Sequence, residues 1–378
     1  MKILFVITKS EIGGAQVFVL NLARSLKKSG CDVEVAAGDG DYLFNELKKE
    51  SITFHYLNSL KRNFSVLNSF YFIYDLYHLL KVNNYDIIHL NSSNTLIGAI
   101  SSFFLKKRPK TIFTFHGLSF IDVNYQANYF FKILAKFYYK LLLNTLDRVV
   151  FECNLNYKEV KEAGMVKNAE VIYNGLDETD LNFRSGKDAR IFFSHKCGMD
   201  LTENFLIGST GRLIYQKNYE FLIRNYLKIK ERIPNAKVVI IGDGPDRKHY
   251  EELIQEFGIQ NDFFLVGELK NSHQYMKGFD LFTLSSRYEG VSISLIEALY
   301  AEMPILASNV GGNPDVVGNS QNQLFVLDDF DDYIYKLLEI KRNREDIIKF
   351  NASIKHRFSL DSMMNHYRHL FEEIKESH

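Results

Sequence analysis

Tryptophan is absent from this 378-residue chain, and proline and cysteine are scarce, at five and three. So few prolines exclude a proline-rich rod or a collagen-like repeat. The cysteines, Cys31, Cys153 and Cys197, are odd in number and far apart, with no CxxC pair. That excludes a disulfide framework and a thiolate metal site, and it points to idle thiols in a reducing compartment. Net charge is missing too, because 46 Lys and Arg balance 46 Asp and Glu. No positive field gathers a polyanion, so nucleic acid is not an expected partner. Long apolar runs are lacking. Ile3–Ile7 is too short for a signal h-region, and the least charged stretch, Ile87–Leu105, carries His89, Asn91 and Ser92–Thr95. No membrane span is expected, and the chain reads as cytoplasmic.

Aromatic bulk is plentiful, with 31 Phe and 22 Tyr in a chain that is 46% hydrophobic and 24% charged. This is a globular composition, long enough for two or three domains. Short apolar runs alternate with amphipathic stretches. In the first half the runs are Lys2–Ile7, Val33–Ala37, Thr53–Leu57, Ile87–Leu90, Thr111–Phe115, Arg148–Phe151 and Val171–Tyr173. Most are β-branched or aromatic with little polar alternation, as in parallel strands covered on both faces. The rhythm restarts at Phe205–Ser209, Lys237–Ile241, Phe263–Leu265, Leu281–Leu284, Ile305–Ala307 and Leu324–Val326. The fold class is therefore α/β, two Rossmann-like parallel-sheet domains in tandem, with ligands expected in a cleft at the carboxyl ends of both sheets. Asn174-Gly175 marks the junction. Residues 1–175 and 176–359 are the expected domains, and 360–378 is a terminal helix.

Several segments after these strands carry candidate chemistry. Gly13 and Gly14 sit between a strand and a helix, where backbone amides can approach a phosphate; a purely structural turn fits as well. His116-Gly117 follows Thr111–Phe115 directly, so His116 is placed to meet a sugar hydroxyl or move a proton. Arg212 and Lys217 follow Phe205–Ser209, where a guanidinium fork and an ammonium can neutralise a departing diphosphate. The richest segment is Ser285–Ala298. Glu289 precedes a helix, and Glu297 is expected about two turns along it. The amides near Val291, Ser292, Ile293 and Ser294 lie at the helix start and suit a phosphate. Glu297 can accept from two neighbouring ribose hydroxyls. The acidic run Asp328–Asp332 imitates a metal motif, but acidic residues before a helix are ordinarily explained by its dipole.

These motifs together resemble the family 4 retaining glycosyltransferases of GT-B fold. The matching segments run in order: GGAQ at 13–16, HG at 116–117, VIYNGLD at 171–177, GRLIYQKN at 211–218, IGDGPDR at 241–247, EGVSISLIEAL at 289–299 and ASNVGGNPDVV at 307–317. The resemblance implies that the second domain holds a nucleotide sugar. Glu297 would bind ribose, Arg212 and Lys217 the diphosphate, and Glu289 and His116 the transferred sugar. Gly13, Gly14, Gly242, Gly244 and the 290–295 backbone would complete the donor site. It further implies no metal or other cofactor, a glycan or lipid-linked glycan acceptor on the first domain, a terminal helix crossing back to that domain, and same-face displacement with retention. UDP is the nucleotide most frequent in the family. Departures are Gln16, where many members have Glu, Glu302, where Gly is common, and the absence of glycine before Leu324. A nucleotide-sugar 2-epimerase or a non-catalytic sugar-binding protein shares this architecture and stays open.

Tyr129–Leu143 mixes Phe130, Phe131, Leu134, Phe137 and Tyr138 with Lys132, Lys136 and Lys140 at four-residue spacing. Lys106–Lys110 adds another basic cluster. The stretch reads either as a basic amphipathic helix on an anionic membrane or as a core helix with snorkelling lysines.

Overall fold

The computed structural model describes residues 1–11, 13–61, 65–118, 122 and 124–376. Ile12 of the first glycine segment and residues 377–378 of the terminal helix lie outside them. The chain forms two units, one of Met1–Ile121, Gln126–Asn174 and Asp361–His378, the other of Asp122–Tyr125 and Gly175–Leu360.

Unit 1 holds a seven-stranded sheet of β1 (Lys2–Ile7), β2 (Asp32–Ala37), β3 (Thr53–Tyr56), β4 (Ile87–Asn91), β5 (Lys110–Phe115), β6 (Arg148–Phe151) and β7 (Ala169–Val171). Its order is β3-β2-β1-β4-β5-β6-β7, and every pairing is parallel. Side chains alternate across the strands. Leu4, Val6, Ile88, Leu90, Phe113 and Phe115 join one core cluster with Phe72 and Leu76 of the helix Val66–Asn83 and with Leu142 and Leu143 of the helix Tyr129–Leu143. On the other face, Phe5 and His89 meet Phe18 of the helix Gly14–Lys28 and Phe371 of the terminal helix Leu360–Glu376.

Unit 2 holds a six-stranded sheet of β8 (Phe205–Thr210), β9 (Ala236–Ile241), β10 (Phe263–Leu265), β11 (Leu281–Leu284), β12 (Ile305–Ser308) and β13 (Leu324–Phe325). It is again wholly parallel, in the order β10-β9-β8-β11-β12-β13. Both sheets reverse direction of growth once, at β1/β4 and at β8/β11. Such switch points open a crevice beyond the strands' carboxyl ends.

Two strand expectations need correction. Thr53–Tyr56 is not covered on both faces; it is the sheet's edge, and Phe54 and Tyr56 are exposed. The last strand of unit 1 lies at Ala169–Val171, two residues before the apolar peak, because pairing of Ala169, Glu170 and Val171 with Val149, Val150 and Phe151 decides it. The chain leaves unit 1 after Asn174 and returns at Asp361. The two crossings are paired: Leu176 N donates to Phe358 O at 2.9 Å and Leu360 N to Leu176 O at 2.8 Å. Gly175 permits this approach, since a Cβ there would stand 2.2 Å from the Ser359 carbonyl oxygen.

Glu302 ends the helix Ile293–Tyr300 in a left-handed conformation, φ 59°. Its N–H reaches Leu299 O and that of Met303 reaches Ala298 O, each at 3.1 Å. This is a Schellman turn, whose left-handed position favours glycine. Glutamate there bears a left-handed cost of about 1–2 kcal/mol, offset in part by a loose 3.8 Å pairing with Lys355. Glu302→Gly is expected to raise stability by about 0.5–1 kcal/mol after the added entropy of an unfolded glycine. Thermal unfolding measures it, and a lower Tm would contradict the assignment of strain.

Candidate active site

The unit 2 site grows from the two strands flanking its switch point. After β8 the chain runs through Gly211–Asn218; after β11 it runs through Ser285–Gly290. Hydrogen bonds to main-chain carbonyls stitch these loops together. Arg287 N donates to Gln216 O at 2.8 Å, Gln216 Nε2 to Tyr288 O at 3.0 Å, and Ser285 Oγ to Asn218 O at 3.0 Å. The Arg287 guanidinium lies 4.2 Å over the Tyr215 ring and donates to the Tyr215 carbonyl. At the centre, Lys217 Nζ lies 2.6 Å from Glu289 Oε1, with side-chain exposures of 14% and 7%. Ser286 Oγ donates to the same oxygen at 2.6 Å, and Gln216 Nε2 reaches Oε2 at 3.4 Å. The partners from Ser286 and Gln216 were not foreseen, although both lie within the segments singled out in the sequence. Desolvating two ions costs several kcal/mol each, so such a pair persists only when other donors complete it.

Arg212 differs. It is exposed, and its side chain makes no ion pair among the described residues. The loop carrying it rests on the glycines after β9. A Cβ on Gly242, whose φ is +150°, would stand 1.9 Å from Gly211 O, and one on Gly244 2.4 Å from Leu213 O. Both glycines thus let the Arg212 loop pack closely.

The helix Ile293–Tyr300 begins later than expected, so Glu297 stands just over one turn along it rather than two. Its N-cap, Ser292, makes no side-chain cap. The amides of Ile293 and Ser294 donate to no backbone carbonyl among the described residues, whereas Leu295 N is spent on Ser292 O at 3.1 Å. Leu295 therefore leaves the set of available amides, and its fully buried side chain is core. Glu297 Oε1 lies 3.6 Å from His273 Nδ1. His273 Nε2 is buried with no hydrogen-bond partner among the described residues. No motif pointed to His273; its place depends on a contact between distant segments. Three of the four carboxylates in Asp328–Asp332 are engaged by the protein: Asp328 accepts from Asn218 Nδ2, Asp329 caps the next helix at Asp332 N, and Asp332 accepts from Val326 N. Among the described residues no group of three His, Cys, Asp or Glu side chains is arranged to hold a metal. A cavity of about 550 Å³ lies along edge strand β10, lined by Lys196, Arg247 and Phe264 among others, and touches none of these residues.

In unit 1, His116 follows β5 at the carboxyl end. Its Nδ1 lies 2.6 Å from Glu152 Oε1 and its Nε2 3.4 Å from Asn91 Oδ1. Behind it, His89 is fully buried, with Nε2 2.7 Å from Thr114 Oγ1. Burial first, and the neighbouring His116 second, hold its imidazole well below the ordinary range. Gly13 precedes the helix Gly14–Lys28 without a side-chain cap. Gln16 turns back to donate to Lys9 O at 3.0 Å.

Gly242→Ala is expected to lower unfolding stability by about 2–3 kcal/mol, since the new methyl meets backbone rather than a movable side chain. Urea unfolding measures it, and an unchanged midpoint would mean that the 211–213 loop yields freely.

Residues 12–180 match the family model described as Glycosyltransferase Family 4, and residues 198–353 match that described as Glycosyl transferases group 1. An uncharacterized glycosyltransferase of Methanocaldococcus jannaschii, MJ1059, is 36% identical over 30% of this chain and 28% of its own length. A second from that organism, MJ1607, is 32% identical over 42% of this chain. This chain thus spans well under half of either. The UDP-Gal:alpha-D-GlcNAc-diphosphoundecaprenol alpha-1,3-galactosyltransferase of Escherichia coli is 26% identical over 77% of this chain and 75% of its own. Among solved structures, HepE of Anabaena in complex with UDP has a TM-score of 0.80 at 19% identity, over 99% of this chain and 100% of that one, a likeness of fold. With both halves of the chain matched in order around the loops just described, the protein belongs to the family 4, group 1 glycosyltransferases.

Proposed function

We propose that this glycosyltransferase moves a hexosyl or N-acetylhexosaminyl unit, with retained anomeric configuration, from a UDP-sugar to a hydroxyl of a lipid-linked or polysaccharide glycan in bacterial surface-glycan synthesis. The carrying observation is the grouping in unit 2, on loops that leave the adjacent strands β8 and β11, of a guanidinium (Arg212) with no ion pair among the described residues, a buried Lys217–Glu289 pair and two helix amides that donate to no backbone carbonyl among the described residues. Diphosphate calls for that kind of fixed positive charge. Arg212, Lys217 and the amides of Ile293 and Ser294 hold the departing diphosphate and supply the charge that a divalent cation supplies elsewhere. Glu297 accepts from the ribose hydroxyls. Glu289, paired with Lys217 and Ser286, meets the transferred sugar; in unit 1, His116 offers its ring to a sugar hydroxyl. The bond from the anomeric carbon to the diphosphate breaks while the acceptor oxygen enters on the same face. The acceptor proton passes to the departing phosphate oxygen. UDP is supported by the UDP complex of the Anabaena fold relative and by the UDP-Gal in the name of the Escherichia coli relative, which also supports a diphosphate-lipid acceptor.

A membrane-docking face supports the lipid-linked acceptor. Tyr129, Phe130, Phe131, Ile133, Leu134, Phe137 and Leu141 are 45–79% exposed, so the 129–143 helix does not bury its aromatic stripe; Tyr139, Leu142 and Leu143 do the packing. Val66, Leu67, Phe70, Tyr71 and Tyr74 of the 66–83 helix are exposed as well. Both helices follow strands of one sheet, so their first turns lie at its carboxyl end, the end that carries His116. Lys132, Lys136 and Lys140 accompany this face without an acidic residue in their helix, a charge pattern suited to anionic lipid. No helix among the described residues is long and apolar enough to cross a membrane.

Arg212→Ala, at an exposed position, should fold normally yet lower turnover by about 10²–10³-fold. Glu297→Gln should chiefly raise the donor KM. Steady-state UDP release from UDP-galactose, UDP-glucose and UDP-N-acetylglucosamine, with a polyprenyl diphosphate-linked N-acetylhexosamine as acceptor, measures both. Wild-type rates in both variants would remove the site. Vesicles containing phosphatidylglycerol should float the protein, and K132Q/K136Q/K140Q should stay in the dense fraction. Equal failure of both proteins to float would end the membrane reading.

A further inference from the structure

His116 has a partner that no motif announced. β5 and β6 are adjacent, and Phe115 pairs with Phe151. The next residue on each strand, His116 and Glu152, therefore stands side by side at the carboxyl end. The contact is 2.6 Å from Nδ1 to Oε1. The same carboxylate oxygen accepts from Asn174 Nδ2 at 2.8 Å. Glu152 is 4% exposed and Asn174 7%. A carboxylate so far from water must be met by donors, and the ring nitrogen and the amide are two of them. All three residues lie in unit 1, and Asn174 is the last residue before the chain crosses to unit 2.

The geometry constrains the imidazole. A carboxylate only accepts, so the proton in the Glu152 contact sits on His116 Nδ1. Asn91 is oriented independently, because its Nδ2 donates to His89 O at 2.9 Å and its Oδ1 is thereby the atom toward His116 Nε2. Phe18 packs edge-on against the ring at 4.9 Å. The ring is thus held by a carboxylate and an aromatic wall; the Asn91 oxygen only accepts and bonds Nε2 only when that nitrogen carries a proton, so with the proton on Nδ1 the Nε2 lone pair is left for a substrate hydroxyl.

We infer that Glu152 is a positioning residue for His116. It keeps the proton on Nδ1 and aims Nε2, and Asn174 holds the carboxylate in place from the unit boundary. This rests on the reading of His116 as a group that meets the transferred sugar. The alternative is a buried pair that merely supports the fold. The two differ in what an isosteric change does. Glutamine at 152 keeps size and one acceptor but loses the charge, and its NH2 can donate to Nδ1, which drives the proton to Nε2.

The test uses the full chain labelled with 15N-histidine, with the His116 signal assigned by its loss in His116→Asn. Wild type should show an Nδ1-protonated ring and Glu152→Gln an Nε2-protonated one. UDP release from the UDP-sugar that the wild type turns over best should fall by about 10²–10⁴-fold in kcat in Glu152→Gln, with donor KM changed less than about threefold. Glu152→Asp, which restores the charge, should recover part of the rate. A Tm and circular dichroism spectrum near wild type keep the comparison interpretable. If Glu152→Gln unfolds, Asn174→Ala replaces it, with a smaller fall in kcat expected at constant KM. An unchanged tautomer, or loss of rate that follows loss of Tm alone, overturns the inference. If the tautomer switches while His116→Asn keeps full rate, the positioning of the ring stands and the sugar-contact role of His116 falls.

Discussion

An ammonium and a carboxylate 2.6 Å apart, both nearly shut off from water, hold the loops of unit 2 together. Neither charge would be stable there alone. Removing one partner of such a pair costs about 3–5 kcal/mol, because the other is left buried and unmatched. The pair exists because β8 and β11 are hydrogen-bonded neighbours at the point where the sheet reverses its order, so the loops that follow them must lie against one another. Ser286 and Gln216 complete the carboxylate, and bonds from the Arg287 backbone N–H and the Ser285 hydroxyl to carbonyls of the facing loop lock one loop on the other. The loops are thereby pre-set before any ligand arrives, and fixed dipoles and charges stabilise a developing anion better than groups that must reorganise.

The same pair divides labour between the two cations. Lys217 is largely compensated by Glu289, whereas Arg212 stands in solvent with no ion pair among the described residues. On the proposed reading a diphosphate would meet the Arg212 guanidinium, an ammonium already shared with a carboxylate, and the N-terminal end of the 293–300 helix. The arrangement holds the Glu289 carboxylate in place with Lys217 and Ser286, beside the region where sugar chemistry is proposed.

Unit 1 obeys a parallel logic with the opposite polarity. Strand alternation sends Ile88 and Leu90 to one face and His89 to the other, where it meets Phe5, Phe18, Tyr367 and Phe371. Burial keeps that histidine neutral. One strand over, His116 sits past the strand end, beside Glu152. Two histidines of similar sequence setting thus have contrary environments, one sealed beneath the terminal helix and one held at the rim by a carboxylate.

Most of the strands were legible because a parallel strand covered on both faces needs a near-continuous apolar run, and each of the central strands has one. The failures fell at edges: β3 carries aromatic residues yet faces solvent, and β7 is placed by pairing rather than by its apolar peak. Residue types at strand ends, the glycine, histidine, arginine, lysine and glutamate motifs, were also readable, since their order along the chain is a property of one dimension. Their partners were not. His273 beside Glu297, Glu152 beside His116 and Ser286 on Glu289 are contacts set by strand order, register and helix start, and the spent amide of Leu295 likewise depends on where the 293–300 helix begins. The exposure of the 129–143 aromatic stripe belongs to the same class, since a helical pattern shows that a face is apolar but not whether anything covers it. By itself the sequence determined the α/β class, the doubled sheet rhythm and the chemical inventory, because local spacing encodes periodicity and residue type. Only the tertiary structure decided which charges meet, which stay free and which apolar face meets water, because those are distances between segments far apart in the chain.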